Sequence, residues 1–164
     1  MTSSPTTYTV AVSAVISAAA QACYTAIADY RNGHPHIVPK KWFGPIIVEE
    51  GGVGAGTRIR FTMTVLGQTV TLRGEVTEPV PGRVLVESYP ATGVVTTFTV
   101  AETAPRQARV TIETRTPRVG GVRAAIERAI TRRMLPRIFR AELAQLAGHV
   151  GGAVVGEPEV LRVG

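Results

Sequence analysis

The residues best suited to chemistry lie close together early in the chain. The segment Tyr30-Arg31-Asn32-Gly33-His34-Pro35-His36 carries two imidazoles and a phenol within seven positions. Histidine titrates near neutral pH and moves protons in either direction. A base of this kind could drive an aldol-type cyclisation or a dehydration. That reaction needs the base within reach of an acidic C–H and a donor for the developing enolate oxygen. His34 is the expected base, and Tyr30 or Tyr89 the expected donor. The His-Pro-His spacing has no third ligand beside it, so neither a metal nor a cofactor is expected. His149 closes a helical stretch, where an imidazolium would complement the helix dipole.

The other candidates read as structural. Cys23 is the single cysteine; it lies in the apolar run AQACYTAI and is expected to be a buried, inert thiol that excludes an intrachain disulfide. Gly51 to Thr57 (GGVGAGT) has the look of a phosphate loop, but it opens a strand rather than a helix and lacks the lysine. It is therefore read as a turn between strands. With Val84, Val86, Val110 and Ile112 counted inward, Glu87 and Glu113 face water.

These side chains must be positioned by a sheet and one long helix. Gly121 to His149 reads as a helix about 40 Å long, the only segment long enough to bury the apolar face of a sheet. Pro136 sits in its middle and is expected to kink it. Val122, Ala125, Ile126, Ala129, Ile130 and Met134 share one side; Leu135, Ile138, Phe139, Leu143 and Leu146 share another. Arg133, Arg137 and Arg140 fall on the polar side, as a solvated face or a charged rim.

The preceding chain reads as strands with two short helices. Tyr8 to Ile16 form a first strand, Ser17 caps a helix over about 18–30, and 31–39 form a short helix or turn. Strands follow from Trp42, Thr57, Thr69, Arg83, Val94 and Ala108 in an antiparallel meander. Gly67-Gln68 suits a two-residue II′ turn, which pairs Leu66 with Thr69, Met63 with Leu72, Phe61 with Gly74 and Arg60 with Glu75. By alternation Arg58, Arg60 and Arg73 point outward. Residues 1–7 form a disordered leader, 8–149 one domain, and 150–164 a flexible tail without periodicity.

Composition narrows the classes. The chain has 164 residues, 45% hydrophobic and 18% charged, a globular range for one domain. Its 18 basic residues outnumber 12 acidic ones, a net charge of +6. The basic residues are scattered, few aromatics interleave with them, and no helix-turn-helix or zinc spacing occurs, so no nucleic-acid partner is expected. No positive charge precedes Arg31, so the apolar start lacks the basic region of a secretory signal. No apolar run spans a membrane. A cytoplasmic monomer or homodimer without stable membrane insertion is expected.

The stretches SAAAQACYTAIADYRN, GVGAGTRIRF, TLRGEVTEPVPGRVLVES and TGVVTTFTV, with the closing helix, resemble the START-like (SRPBCC) superfamily over residues 8 to 147. The nearest branch is the polyketide cyclase/dehydrase and lipid-transport group. The resemblance implies an α+β helix-grip fold: a seven-stranded curved antiparallel sheet around a long C-terminal helix, two short helices closing one end, and a deep cavity for a hydrophobic small molecule. In aromatase/cyclases of the family, an aromatic residue on the first helix and a tyrosine near the second work in the cavity. Tyr24 matches the first, and Tyr30 or His34 the second. The expected cavity wall is Tyr24, His36, Trp42, Ile59, Phe61, Met63, Leu72, Tyr89, Phe98, Ile130 and Met134, with Tyr30 and His34 as the reacting pair. The function implied is binding of a polyketide-like or lipid ligand, with cyclisation or dehydration. The alternatives are a non-catalytic carrier and a basic module for nucleic acid or anionic membrane.

Overall fold

The computed structural model describes residues 7–118 and 121–163, and the side chains among these except 122–128, 130 and 163. The expected leader lies outside these residues apart from Thr7. Strand β1 (Thr7–Ile16) leads into α1 (Ala20–Ala28) and α2 (His34–Ile37). A meander follows: β2 (Ile47–Glu50), β3 (Arg58–Val65), β4 (Gln68–Val80), β5 (Val84–Tyr89), β6 (Val94–Ala104) and β7 (Gln107–Pro117). Helix α3 (Val122–His149) and β8 (Val154–Val163) complete the chain. One antiparallel sheet runs in the order β2-β3-β4-β5-β6-β7-β1-β8. This is the helix-grip architecture, with eight strands rather than the expected seven.

The eighth strand corrects the flexible tail. Residues 154–163 pair with β1 at the sheet edge, Val12 opposite Val160 and Ile16 opposite Val154, with two register shifts. An edge strand held by backbone bonds needs no apolar alternation, so residues 154–163 carry no period to read. Pro158 is tolerated there because an edge leaves one row of N–H groups unused. Ser17, expected to cap α1, instead ties down this strand. Its Oγ donates to the Ala153 carbonyl at 3.2 Å and accepts from the Ala153 N–H at 2.9 Å. The residue at the helix start is Ala19, which has no side-chain cap.

The β3–β4 hairpin keeps a two-residue turn but is shifted in register from the one expected. Val65 pairs with Gln68, Met63 with Val70, Phe61 with Leu72 and Ile59 with Gly74. The turn residues are Leu66 and Gly67, both at positive φ (50° and 75°). That is the backbone of a type I′ turn, with glycine second rather than first. The slip is two residues, so every side chain keeps its face. Arg58, not Arg60, stands opposite Glu75, while Arg60 and Arg73 reach Glu49 at 3.0 and 3.7 Å. Strand β2 begins at Ile47 rather than Trp42, and ahead of it Phe43 makes an isolated bridge to Met63.

The core lies between the inner sheet face and the second half of α3. Val10, Val12, Leu85 and Ile112 share one buried cluster with Ile138, Leu143 and Leu146, all essentially without solvent contact. At roughly 25 cal/mol per Å² of apolar area, side chains of this size each contribute about 2 kcal/mol. Pro136 stands inside α3 without ending it. Met134 and Leu135, expected on different sides, are both half-buried, and Ala129 is exposed. The expected contributions of Val122, Ala125, Ile126 and Ile130 lie outside the described side chains. Arg133, Arg137 and Arg140 are exposed as a polar face. Among the described residues, no helix is long and apolar enough to cross a membrane.

Candidate functional site

The sheet and helix do not fill the space between them. A cavity of about 540 Å³ remains, within the range of small-molecule sites. Ile59, Phe61, Met63, Leu72 and Phe98 wall it from the sheet, and Met134, Leu135, Ile138 and Phe139 from α3. Of the expected wall residues, Tyr24, His36 and Trp42 are elsewhere, and Ile130 lies outside the described side chains. Tyr24 donates to Glu78 Oε1 at 2.7 Å, while Glu78 Oε2 accepts from the Ala55 N–H at 2.8 Å. Tyr24 therefore clips the glycine-rich turn to α1. Burial and then Glu78 push its phenol upward in pKa. His36 is exposed and stacks on His149, ring centroids 5.1 Å apart. Trp42 carries Lys41 over its ring at 5.1 Å. Burial raises the Cys23 thiol, as suits an inert residue.

The polar part of the cavity is built around Glu87. Strand β5 presents Leu85, Glu87 and Tyr89 inward, the opposite phase from the one expected, and Glu87 is only 5% exposed. The ambiguity was real: Val84/Val86 and Leu85/Tyr89 are both apolar pairs at strand spacing, and burial of the larger side chains decided it. Glu113 does face outward and pairs with Arg115 at 3.0 Å. Tyr30 donates to Glu87 Oε1 at 2.5 Å, and Tyr89 to Oε2 at 2.6 Å. Burial, then the Glu87 charge, raises both phenols well above their usual range, so both remain O–H donors. Gly74 makes room for this arrangement. A Cβ there would sit 3.0 Å from Tyr89 Cε1 and 3.3 Å from Ile59 Cγ1.

His34 completes the cluster and is 3% exposed. Gly33 lets α2 begin directly against α1, since a Cβ would come within 2.4 Å of the Ala26 carbonyl oxygen. The His34 N–H then donates to the Asp29 carbonyl at 2.6 Å. Its Nδ1 lies 2.7 Å from the Ile27 carbonyl oxygen. A carbonyl only accepts, so Nδ1 carries the proton and neutral His34 has a bare Nε2. Nε2 stands 3.6 Å from Glu87 Oε1, too far for a good hydrogen bond but close enough to stabilise an imidazolium. The ring stacks on Tyr30 at 4.5 Å and meets the edge of Phe98 at 5.6 Å. Tyr30 does not itself line the cavity; it holds His34 and Glu87 in place.

A second carboxyl was missed by the sequence reading. Glu142 on α3 lines the cavity and is 4% exposed. Burial, then the charge of Glu87, holds its carboxyl well above the usual range. The signal was available: Glu142 falls four residues from both Ile138 and Leu146 on the buried stripe. Thr96 and Thr114, with hydroxyl oxygens 2.8 Å apart, add a further polar spot. Among the described residues, no group of three or more His, Cys, Asp or Glu is arranged to hold a metal ion.

Comparison with known proteins agrees with this architecture. A family model described as "Polyketide cyclase / dehydrase and lipid transport" matches residues 7–151. The chain belongs to that family. Its fold is that of hydrophobic-ligand-binding, START-like proteins. No curated protein matches the chain. The solution structure of KanY protein is similar at 28% identity and TM-score 0.75, covering 87% of this chain and 97% of that one. The Zhui aromatase/cyclase from Streptomyces sp. R1128 shares 17% identity, with TM-score 0.72 and coverage of 89% and 94%. A START superfamily protein from Mycobacterium smegmatis shares 12%, with TM-score 0.68 and coverage of 88% and 97%. At those two identities the likeness is one of fold.

Proposed function

We propose that the chain binds a polyketide-like hydrophobic molecule in the cavity and promotes its cyclisation and dehydration by proton transfer. The observation that carries this reading is the His34–Glu87 pair on the cavity wall. One nitrogen of the imidazole is committed to the Ile27 carbonyl, and the other is bare beside a carboxylate held by two phenols.

In this reading His34 Nε2 takes a proton from a methylene flanked by carbonyls, and Glu87 stabilises the imidazolium. The carbanion attacks a ketone carbon elsewhere on the folded chain, forming the ring bond. Glu142, held as the acid, gives its proton to the new alkoxide. For loss of water, the Glu142 carboxylate removes a second α-proton. The imidazolium then protonates the departing hydroxyl, and both residues return to their starting forms. Tyr30 and Tyr89 orient Glu87 and take no part in the bond changes.

The test is incubation with poly-β-keto thioester mimics, with products resolved by mass spectrometry. Loss of the base in His34→Ala should slow cyclised-product formation by about 10²-fold or more, with the fold intact. An unchanged rate and product distribution, with the mimic still bound, would leave a carrier without chemistry.

A further inference from the structure

The two cavity carboxyls differ in how the protein treats them. Glu87 receives two phenolic donors. Glu142 receives none: among the described residues no donor and no cation meets it, although it is 4% exposed. No fully enclosed side-chain polar atom among the described residues lacks a partner, so the Glu142 oxygens open into the cavity space. The described residues that line this cavity include no lysine or arginine. The arginines of the neighbouring strands lie on the other sheet face, where Arg58 pairs with Glu50 and Arg60 with Glu49. The described lining of the chamber holds two carboxyls and no lysine or arginine, so a bound anion meets no fixed positive charge there, and one polar group is left waiting for a partner.

We propose that the cavity selects ligands bearing a hydrogen-bond donor, a hydroxyl or an ammonium, that meets Glu142, and turns away free carboxylates and phosphates. This deepens the proposed function by naming the head group its substrate must present, and it rests on occupancy of that same cavity. A polyketide-like molecule fits as a neutral enol or phenol. A free fatty acid or a phospholipid head does not.

Four naphthalene probes of nearly equal size separate the possibilities: 2-ethylnaphthalene, 2-(2-naphthyl)ethanol, 2-(2-naphthyl)ethylamine and 2-naphthylacetate. Their dissociation constants are measured by calorimetry at pH 7. The alcohol and the amine should bind at least about 10-fold more tightly than the acetate, a margin of about 1.4 kcal/mol. In Glu142→Leu the alcohol should lose its advantage over 2-ethylnaphthalene while the hydrocarbon binds at least as well. In Glu142→Gln, which keeps shape, offers an N–H donor and cannot ionise beside a bound anion, the acetate should gain about 10-fold. An acetate that binds as tightly as the alcohol overturns the proposal, as does an unchanged order in Glu142→Gln. Failure of 2-ethylnaphthalene to bind would remove the cavity reading altogether. Retained selectivity in a protein that cyclises nothing would remove only the proposed reaction.

Discussion

Replacing Tyr30 by phenylalanine isolates the contact on which the Glu87 cluster depends. The substitution deletes one oxygen and keeps the ring that stacks on His34 at 4.5 Å. The lost bond runs 2.5 Å from the phenol to Glu87 Oε1, and both groups are buried, so solvent does not weaken it. A hydrogen bond to a charged group contributes about 1.5–3 kcal/mol. For a chain of this size each kcal/mol moves the Tm by roughly 2–4 °C, so Tyr30→Phe should melt about 3–12 °C below the parent. Urea denaturation should show a lower midpoint with an unchanged slope. Pairing it with Glu87→Gln tests the cause. The amide still accepts an O–H bond but carries no charge, so the two effects should be non-additive by about 1 kcal/mol or more. A variant that melts with the parent, or two losses that simply add, would refute the claim that Tyr30 works through Glu87.

Two further outcomes follow from backbone and titration. Leu66 holds φ at +50° in an exposed turn, a conformation that costs an ordinary residue about 1–2 kcal/mol; Leu66→Asn should raise the Tm by a few degrees, and a lower Tm would contradict the strain. Glu142 has its folded pKa raised above the ordinary 4.5, so the unfolded chain releases this proton first and stability falls as pH rises from about 4.5 towards the folded value. Glu142→Gln lacks that fall, so its Tm relative to the parent should climb with pH over that window; a constant difference would show that the carboxyl is not held protonated.

The sheet and α3 were legible because their signals repeat. Alternation at Ile59, Phe61 and Met63 and helical spacing at Ile138, Phe139, Leu143 and Leu146 each restate one face several times. Single positions were harder. The hairpin slipped by two because Leu66-Gly67 and Gly67-Gln68 both satisfy a glycine-containing turn, and only the backbone decides whether glycine comes first or second. Strand β8 was missed because an edge strand held by main-chain bonds to β1 has no side-chain period. Glu87 was turned the wrong way because two phases of β5 are both apolar. Tyr24 was placed in the cavity by resemblance, while its contacts with Glu78 across the fold are invisible to spacing. His34 and Tyr30 do come together as expected, through the Gly33 approach that seats α2 on α1.

The division of labour within the cavity follows from which elements carry which groups. His34, Glu87, Tyr30 and Tyr89 come from α2, β5 and the turn after α1, and they are tied to one another and to the Ile27 carbonyl. Such a network fixes geometry, because moving any member breaks a buried polar contact, each costly to leave unmade. The opposite wall is Met134, Leu135, Ile138 and Phe139 of α3, where contacts are dispersive and individually weak. Changing a wall residue alters the shape available to a ligand without breaking the bonds from Tyr30 and Tyr89 to Glu87. Glu142 is the exception on that wall, a polar group that the protein leaves for the occupant to satisfy. A polar corner fixed by buried contacts, facing an apolar wall held by dispersion, is the arrangement expected if the polar groups and the shape offered to a ligand vary independently.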